Sequence, residues 1–412
     1  MIGRAHRVFV TGMGVLSAYG AGREAFEKGL FSARSGIRRI EGIDTDALNC
    51  HYGAQIDGFS GDDLIRKSER QFHDRVSLMA MAAADEALRH AGLDHREIAA
   101  VTGTMMGCAF GPGEAIQDSV LRIARKERLR PTSIVKMMLN APTAALCLRY
   151  GLQGASAAHS AACAASAHAI AQGARAVRDG DMDICLVGGA EAFPSSALFA
   201  AWDALSVMTP ETDMIHGVMR PFCPDRKGFV IGEGAAVLVL ENEEHALARG
   251  APILAEVCGS GVVSDTPTLT RPSLRGMTGA MRAAMKDAGI AAADVAHINT
   301  HGTATELNDA LERDAIEDLF GKSDGIVAIT ACKAAIGHCM GAASALEAAA
   351  SILALRRQEA PWPVRFGAAT SAERDPDRNR PSAMQAQYAL SNSFAFGGHY
   401  VSIVFKRTDD AR

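Results

Sequence analysis

The chain has no C-x-x-C pair and no regular frame among its nine cysteines, Cys50, Cys108, Cys147, Cys163, Cys185, Cys223, Cys258, Cys332 and Cys339. That excludes the usual zinc-site spacings and a disulfide scaffold, and it fits a reducing compartment. No stretch of ~18 uncharged apolar residues occurs, and Met1 to Arg7 leads into a few apolar residues rather than a signal-peptide core, so no membrane span or export signal is expected. A basic excess is also missing: 42 Lys and Arg against 47 Asp and Glu leave a net charge of −5, which argues against a general nucleic-acid binder. Aromatic residues are scarce at 5%, whereas Gly is abundant at 40 residues, a mixture suited to closely packed helices and tight strand-to-helix turns. The expectation is a soluble, cytoplasmic protein without a metal site.

At 412 residues the chain exceeds the usual single core, so two domains or one duplicated unit are expected. Val8-Phe9-Val10-Thr11-Gly12-Met13-Gly14-Val15 reads as a buried strand ending in a Gly turn, Glu24–Leu30 as a short helix, and Val76–Ala91 as a helix with Leu78, Met79, Ala82, Ala83 and Leu88 facing in. A strand over Ala99–Thr104 leads through Met106-Gly107-Cys108 to a Gly-Pro-Gly helix entry at 111–113. Asp183–Gly189, Ala235–Leu240 and Ile253–Gly259 read as further strands, and this alternation means an α/β protein with largely parallel pairing. The break at Arg249-Gly250 divides the chain into 1–250 and 251–412. The second part repeats the first in outline, because the helix opening at Gly341, after a strand over Ile326–Thr330, echoes the helix after Cys163. Asp375–Pro381 is a polar, Pro-bearing surface loop, and Leu390–Phe405 a closing strand-turn-strand.

The stretch Gly154-Ala155-Ser156-Ala157-Ala158-His159-Ser160-Ala161-Ala162-Cys163 runs a small-residue strand into an Ala-rich helix that ends at Arg178, before Asp179-Gly180. Cys163 stands at the join. Unpaired amides and the positive end of the helix dipole favour a thiolate there, so Cys163 reads as a nucleophile with a lowered pKa. The competing reading is a small buried apolar residue, the fate of most cysteines.

Three other stretches share the pattern of a short strand that stops at Gly and delivers polar groups. They are Ile298-Asn299-Thr300-His301-Gly302-Thr303-Ala304-Thr305, Thr330-Ala331-Cys332-Lys333-Ala334-Ala335-Ile336-Gly337-His338, and Asn392-Ser393-Phe394-Ala395-Phe396-Gly397-Gly398. One cysteine and two Gly-flanked histidines make a candidate thiol-based acyl-transfer site. With Val10-Thr11-Gly12-Met13-Gly14, Arg220-Pro221-Phe222 and Gly228 to Ala235, these motifs cover nearly the whole chain in order. Together they resemble the β-ketoacyl-acyl-carrier-protein synthases, the condensing enzymes of fatty-acid and polyketide synthesis.

The resemblance implies a thiolase-like fold of two similar α/β halves in an αβαβα arrangement, usually a dimer. It implies that Cys163 carries an acyl chain and that the amides of Cys163 and Phe396 form an oxyanion hole. His301 and His338 would donate to the enolate left when a malonyl thioester loses carbon dioxide. Lys333 would help keep the imidazoles neutral, with Glu347 as its partner. Thr303 and Thr305 resemble the pair that binds the pantetheine arm, Phe396 the gate of the acyl pocket, and Cys108 a pocket-lining residue that influences chain length. No cofactor is implied beyond the phosphopantetheine of the acyl carrier protein. The family docks that acidic carrier near positions comparable to Arg66, Lys67 and Arg70 and to Arg125 and Lys126, basic clusters that otherwise read as solvated helix faces.

Some residues depart from the family pattern. Ala395, His399 and Tyr400 stand where Gly, Thr and Asn are usual, Lys227 where an acidic or amide residue is usual, and Cys332 where Ser or Thr is usual. They point toward specialised polyketide or polyene synthesis rather than housekeeping fatty-acid elongation. His168 reads as a packed histidine, and Cys332 and Cys339 as small fillers. Two other functions compete: a non-catalytic chain-length partner subunit, which lacks the nucleophile, and a thiolase, which uses a second cysteine in place of the two histidines. The dimer would join two identical chains or pair this chain with a chain-length-factor subunit.

Overall fold

The computed structural model describes residues 6–210, 218–321, 327–364, 366 and 380–408. Ten strands form one continuous path through the main sheet. In chain order they are β1 (Val8–Ser17), β2 (Thr102–Gly107), β3 (Ser156–His159), β4 (Ile184–Glu191), β5 (Gly234–Asn242), β6 (Ala255–Ser264), β7 (Val295–Asn299), β8 (Ala328–Thr330), β9 (Tyr388–Ala395) and β10 (His399–Lys406). The first five lie in the order β3-β2-β4-β5-β1 and the last five in the order β8-β7-β9-β10-β6. Adding five to each label of the first set gives the second. The pairing matches as well: β1–β5, β5–β4, β6–β10 and β10–β9 are antiparallel, while β4–β2, β2–β3, β9–β7 and β7–β8 are parallel. The halves join through a short antiparallel contact of β1 with β6, Phe9 opposite Glu256 and Val10 opposite Ala255. The duplication read from the helix after Cys163 is therefore present strand by strand.

The helices repeat too. Eight of them, numbered in chain order, are α1 (Arg75–Ala91), α2 (Gly113–Ala124), α3 (Ser133–Met137), α4 (Ala165–Arg178), α5 (Ser196–Ala204), α6 (Leu274–Ala288), α7 (Glu306–Phe320) and α8 (Ala343–Arg357). Outer helix α1 packs on β1 and β5, and α6 on β6 and β10 in the same way. A Cβ at Gly12 or Gly14 would collide with the carbonyl oxygens of Ala87 and Ala83 of α1, and one at Gly259 or Gly261 with those of Ala284 and Ala280 of α6. These glycines therefore sit inside strands, where the helix backbone comes close. That is why β1 runs on to Ser17 instead of turning at Gly12-Met13-Gly14.

Between the two sheet halves lie α4 and α8, in contact with each other. Helix α8 is buried without interruption from Ala343 to Leu355, as a helix covered on all sides must be. The layers are thus helix, sheet, helix pair, sheet, helix. Two hydrogen bonds stitch the central pair where the helices begin: Ser344 Oγ donates to Cys163 O at 2.9 Å, and the Ala345 amide to Ser166 Oγ at 3.0 Å. Some boundaries differ from expectation. β2 starts at Thr102 rather than Ala99, because His95–Ile98 forms a helical turn first, and β6 extends to Ser264 in register with β10. Most of the expected loop at Asp375–Pro381 lies outside the described residues, as does Ile326.

Candidate active site

The residues singled out converge from four loops at strand ends. Cys163 lies between β3 and α4, and Ala162 before it has φ of 46°. Left-handed backbone is costly for a residue with a Cβ and persists where the surroundings enforce it. The same strain recurs at Ala304, between Thr303 and Thr305, and at Met340, two residues past His338, with φ of 60° and 44°. None of these three positions is Gly, so the sequence carried no sign of them.

His301 follows β7. The carboxylate of Glu312, fully buried on α7, accepts the amides of His301 at 2.7 Å and Gly302 at 2.9 Å, fixing the turn. Burial pushes the Glu312 carboxyl up to about 7. Helix α7 has inverted polarity, with Leu307 exposed while Asn308, Asp309 and Glu312 are buried. That inversion shows only in the fold, because Glu312 is one of several acidic residues on the helix. Thr303 Oγ1 and Thr305 Oγ1 are 2.9 Å apart.

Lys333 is 1% exposed and follows β8. Its Nζ donates to His301 O at 2.6 Å and to Glu347 Oε1 at 2.5 Å, and stands 3.3 Å from His301 Nδ1. Burial pushes the Glu347 carboxyl up to about 7, against the opposing pull of Lys333. His338 Nδ1 accepts the Met340 amide at 3.1 Å. The Nδ1 of each imidazole thus faces a donor, which leaves the ring proton on Nε2. Burial first, and the Lys333 charge second, hold both imidazoles well below their usual pKa, so both are neutral. Their ring centroids are 5.7 Å apart and the planes nearly perpendicular, at 86°.

Cys163, His301, His338, Thr303, Thr305 and Phe396 all line one cavity of about 510 Å³. Lys333 and Glu347 stand behind His301. Cys108 does not line this cavity: its thiol turns to Glu191 Oε1 at 3.7 Å. Cys332 and Cys339 do not line it either. Lys227 does, at an exposed position beside Arg226 and Arg271. Arg66, Lys67, Arg70, Arg125 and Lys126 are exposed on the surface and take no part in the cavity. Trp202, Phe229, Asn308 and Tyr400 also line it and were not foreseen as wall residues. His168 is packed against His399, with ring centroids 5.9 Å apart.

Cys163 and the segment around Phe396 each add a detail. The Cys163 thiol opens onto the cavity yet is enclosed by protein, and burial pushes it up to about 12, outweighing the Lys333 charge that pulls it down. Burial of a thiolate thus works against the stabilisation expected from the helix start. The left-handed conformation of the gate segment falls on Gly397 and Gly398, with φ of 81° and 74°, and not on Ala395. Ala395 is an ordinary residue of β9, opposite His399.

Comparisons with known proteins agree along the chain. Residues 5–246 match the family model "Beta-ketoacyl synthase, N-terminal domain" and residues 254–366 the corresponding C-terminal domain. The chain is 37% identical over 421 residues to 3-oxoacyl-[acyl-carrier-protein] synthase 2 of Rhizobium meliloti (strain 1021), covering 97% of this chain and 99% of that one. It is 36% identical over 410 residues to Nodulation protein E of Rhizobium sp. (strain N33), with the same coverage. The solved structure titled the ishigamide ketosynthase/chain length factor superposes with a TM-score of 0.89 at 31% identity, over 98% of this chain and 100% of that one. A cysteine and two neutral, Nε2-protonated histidines in one cavity, on a duplicated five-layer fold matched from end to end, place this chain in the β-ketoacyl synthase family of condensing acyltransferases.

Proposed function

We propose that this chain condenses an acyl group held on Cys163 with a malonyl group on an acyl carrier protein, releasing carbon dioxide and a β-ketoacyl carrier. Cys163 Sγ attacks the carbonyl of the incoming acyl thioester, the old carbon–sulfur bond breaks, and the thiol proton ends on the departing carrier thiol. The tetrahedral oxyanion is held by the amides of Cys163 and Phe396. In the second half-reaction the malonyl carboxylate leaves as carbon dioxide, and its electron pair remains as an enolate. The Nε2–H groups of His301 and His338 donate to the enolate oxygen, and the enolate carbon attacks the acyl-Cys163 carbonyl. That attack forms the new carbon–carbon bond; collapse of the adduct restores the ketone, breaks the carbon–sulfur bond and releases the Cys163 thiolate, which takes its proton back from water. Lys333 and Glu347 hold His301 in place, and Thr303 and Thr305 bind the pantetheine arm.

The observation that carries this reading is the occupied Nδ1 of both histidines, which makes both rings donors beside a cysteine. A chain-length partner has no use for Cys163. A thiolase needs a second cysteine in the cavity, and among the described residues none lines it. The reaction calls for no resident cofactor. The departures at Ala395, His399 and Tyr400 favour a specialised polyketide or polyene pathway over housekeeping elongation.

The acidic carrier docks on the exposed bases Arg66, Lys67, Arg70, Arg125 and Lys126. Beside them Val120, Ile123, Ile134, Val135 and Leu148 are 60, 62, 63, 48 and 79% exposed, a patch that fits a dimer contact. The second subunit is an identical chain or, as the ishigamide title suggests for its own protein, a chain length factor. No described helix is long and apolar enough to cross a membrane, and all nine cysteines are free, which supports a cytoplasmic setting. Carbon dioxide release from malonyl carrier tests the chemistry: Cys163→Ala retains it while losing condensation, and His301→Ala or His338→Ala loses it. Full release by both histidine variants refutes the assignment.

A further inference from the structure

Behind the catalytic cavity lies a second void, whose walls include Phe110, Glu191, Phe193, Leu198, Ile231 and Met340. Its volume is about 10 Å³, room for one water molecule at most. Among the described residues, Trp202 alone lines both spaces. Its ring lies nearly parallel to Phe396, at 6.1 Å and 27°, and edge-on to Phe110 at 5.9 Å and Phe229 at 5.7 Å. The next residue, buried Asp203, accepts the amides of Asn49 and Cys50 at 3.1 and 3.0 Å. That pins α5, so the indole leaves its place by turning about its own side-chain bonds rather than by sliding with the helix.

We propose that Trp202 sets the length of the acyl chain that Cys163 accepts, as a partition between the reaction cavity and the void behind it. This rests on the condensing reading above. Cys163, Trp202, Phe193 and Met340 belong to one apolar cluster, so a tail leaving Sγ away from the mouth meets the indole first. A short acyl group fits in front of the partition. A long one needs the space of the indole as well as the void, and gains it only if Trp202 turns and three aromatic contacts are lost together. Cys108 lines neither space: its thiol bonds Glu191, whose carboxylate also accepts the amides of Ala109, Phe110, Gly111 and Gly341.

The test is single-turnover acylation of Cys163 by carrier protein loaded with hexanoyl or myristoyl groups, read by the mass of the protein. The parent takes hexanoyl faster. Trp202→Ala and the milder Trp202→Leu raise the myristoyl-to-hexanoyl rate ratio roughly ten-fold, the gain from burying about two further methylenes. Adding Leu198→Trp to Trp202→Ala refills the void and returns the ratio to the parent value. An unchanged ratio in either single variant overturns the partition, as does a raised ratio that refilling leaves raised, since that reports general loosening. If the parent acquires neither acyl group on Cys163, the condensing reading itself fails.

Discussion

Lys333 and Glu347 form a buried ion pair in direct contact with the backbone of His301, so removing one partner, the other, or both separates stability from catalysis. Both side chains are 1% exposed, and Glu347 Oε2 has no partner among the described residues. Breaking such a pair from one side costs about 3–5 kcal/mol, whereas replacing both partners by apolar groups of similar volume is often close to neutral. Lys333→Met leaves a buried carboxyl that burial already holds at about 7, and loss of the cation raises it further. A carboxyl raised on folding contributes stability below its unfolded pKa and loses it as pH rises through the folded one. The Lys333→Met penalty therefore grows from pH 5.5 to pH 8.

Set against a total stability of about 5–15 kcal/mol, the Lys333→Met loss at pH 8 is large enough to read by urea unfolding. The double variant Lys333→Met/Glu347→Leu recovers most of it, giving a coupling energy of about 2 kcal/mol or more. It does not recover malonyl decarboxylation, because nothing then holds His301 O at 2.6 Å or faces its Nδ1. A double variant as unstable as the singles refutes the pair. A double variant with parental decarboxylation refutes the positioning role of Lys333.

The pH profile and the gate supply the remaining predictions. Because burial and Lys333 hold His301 and His338 well below 6.5, the acid limb of decarboxylation falls below about pH 6, and a midpoint at 6.5 contradicts neutral donors. The same depressed values mean that the unfolded chain takes up protons first, so the histidines cost stability as pH falls below 6.5. Gly398→Ala puts a Cβ onto Thr266 Oγ1 and the Asp265 carbonyl and imposes a left-handed alanine worth ~1–2 kcal/mol, so it lowers the melting temperature and slows acylation of Cys163. Ala395→Gly leaves acylation unchanged; faster acylation of long primers would show that residue 395 swings after all.

The duplication was legible because small-residue strands feeding Ala-rich helices leave a pattern in each half. Cys163, His301 and His338 were legible because each stands beside small residues at a strand end. What escaped depends on contacts between residues far apart in sequence. Glu312 looks like any acidic residue of an exposed helix until the turn at His301 lies on it. Trp202 belongs to no motif, and only the folding of α5 over the gate sets its ring against Phe396, almost two hundred positions away.

Cys163 and Ala395 have one thing in common, since at each a longer-range force acts against a local rule. A helix start does favour a thiolate, but by an amount that falls off within one turn, while burial acts on the whole charge. At Cys163 burial raises the thiol and the Lys333 charge opposes it. A Gly-to-Ala change does cost energy at positive φ, but register with His399 keeps Ala395 extended. The reversal of the chain falls on Gly397 and Gly398, where Thr266 Oγ1 donates to Gly397 O at 2.8 Å and the Asp265 amide to Gly398 O at 3.0 Å. Asp265 and Thr266 thus hold the two residues after Phe396 in place, so the left-handed backbone that glycine permits lies after the phenylalanine rather than before it.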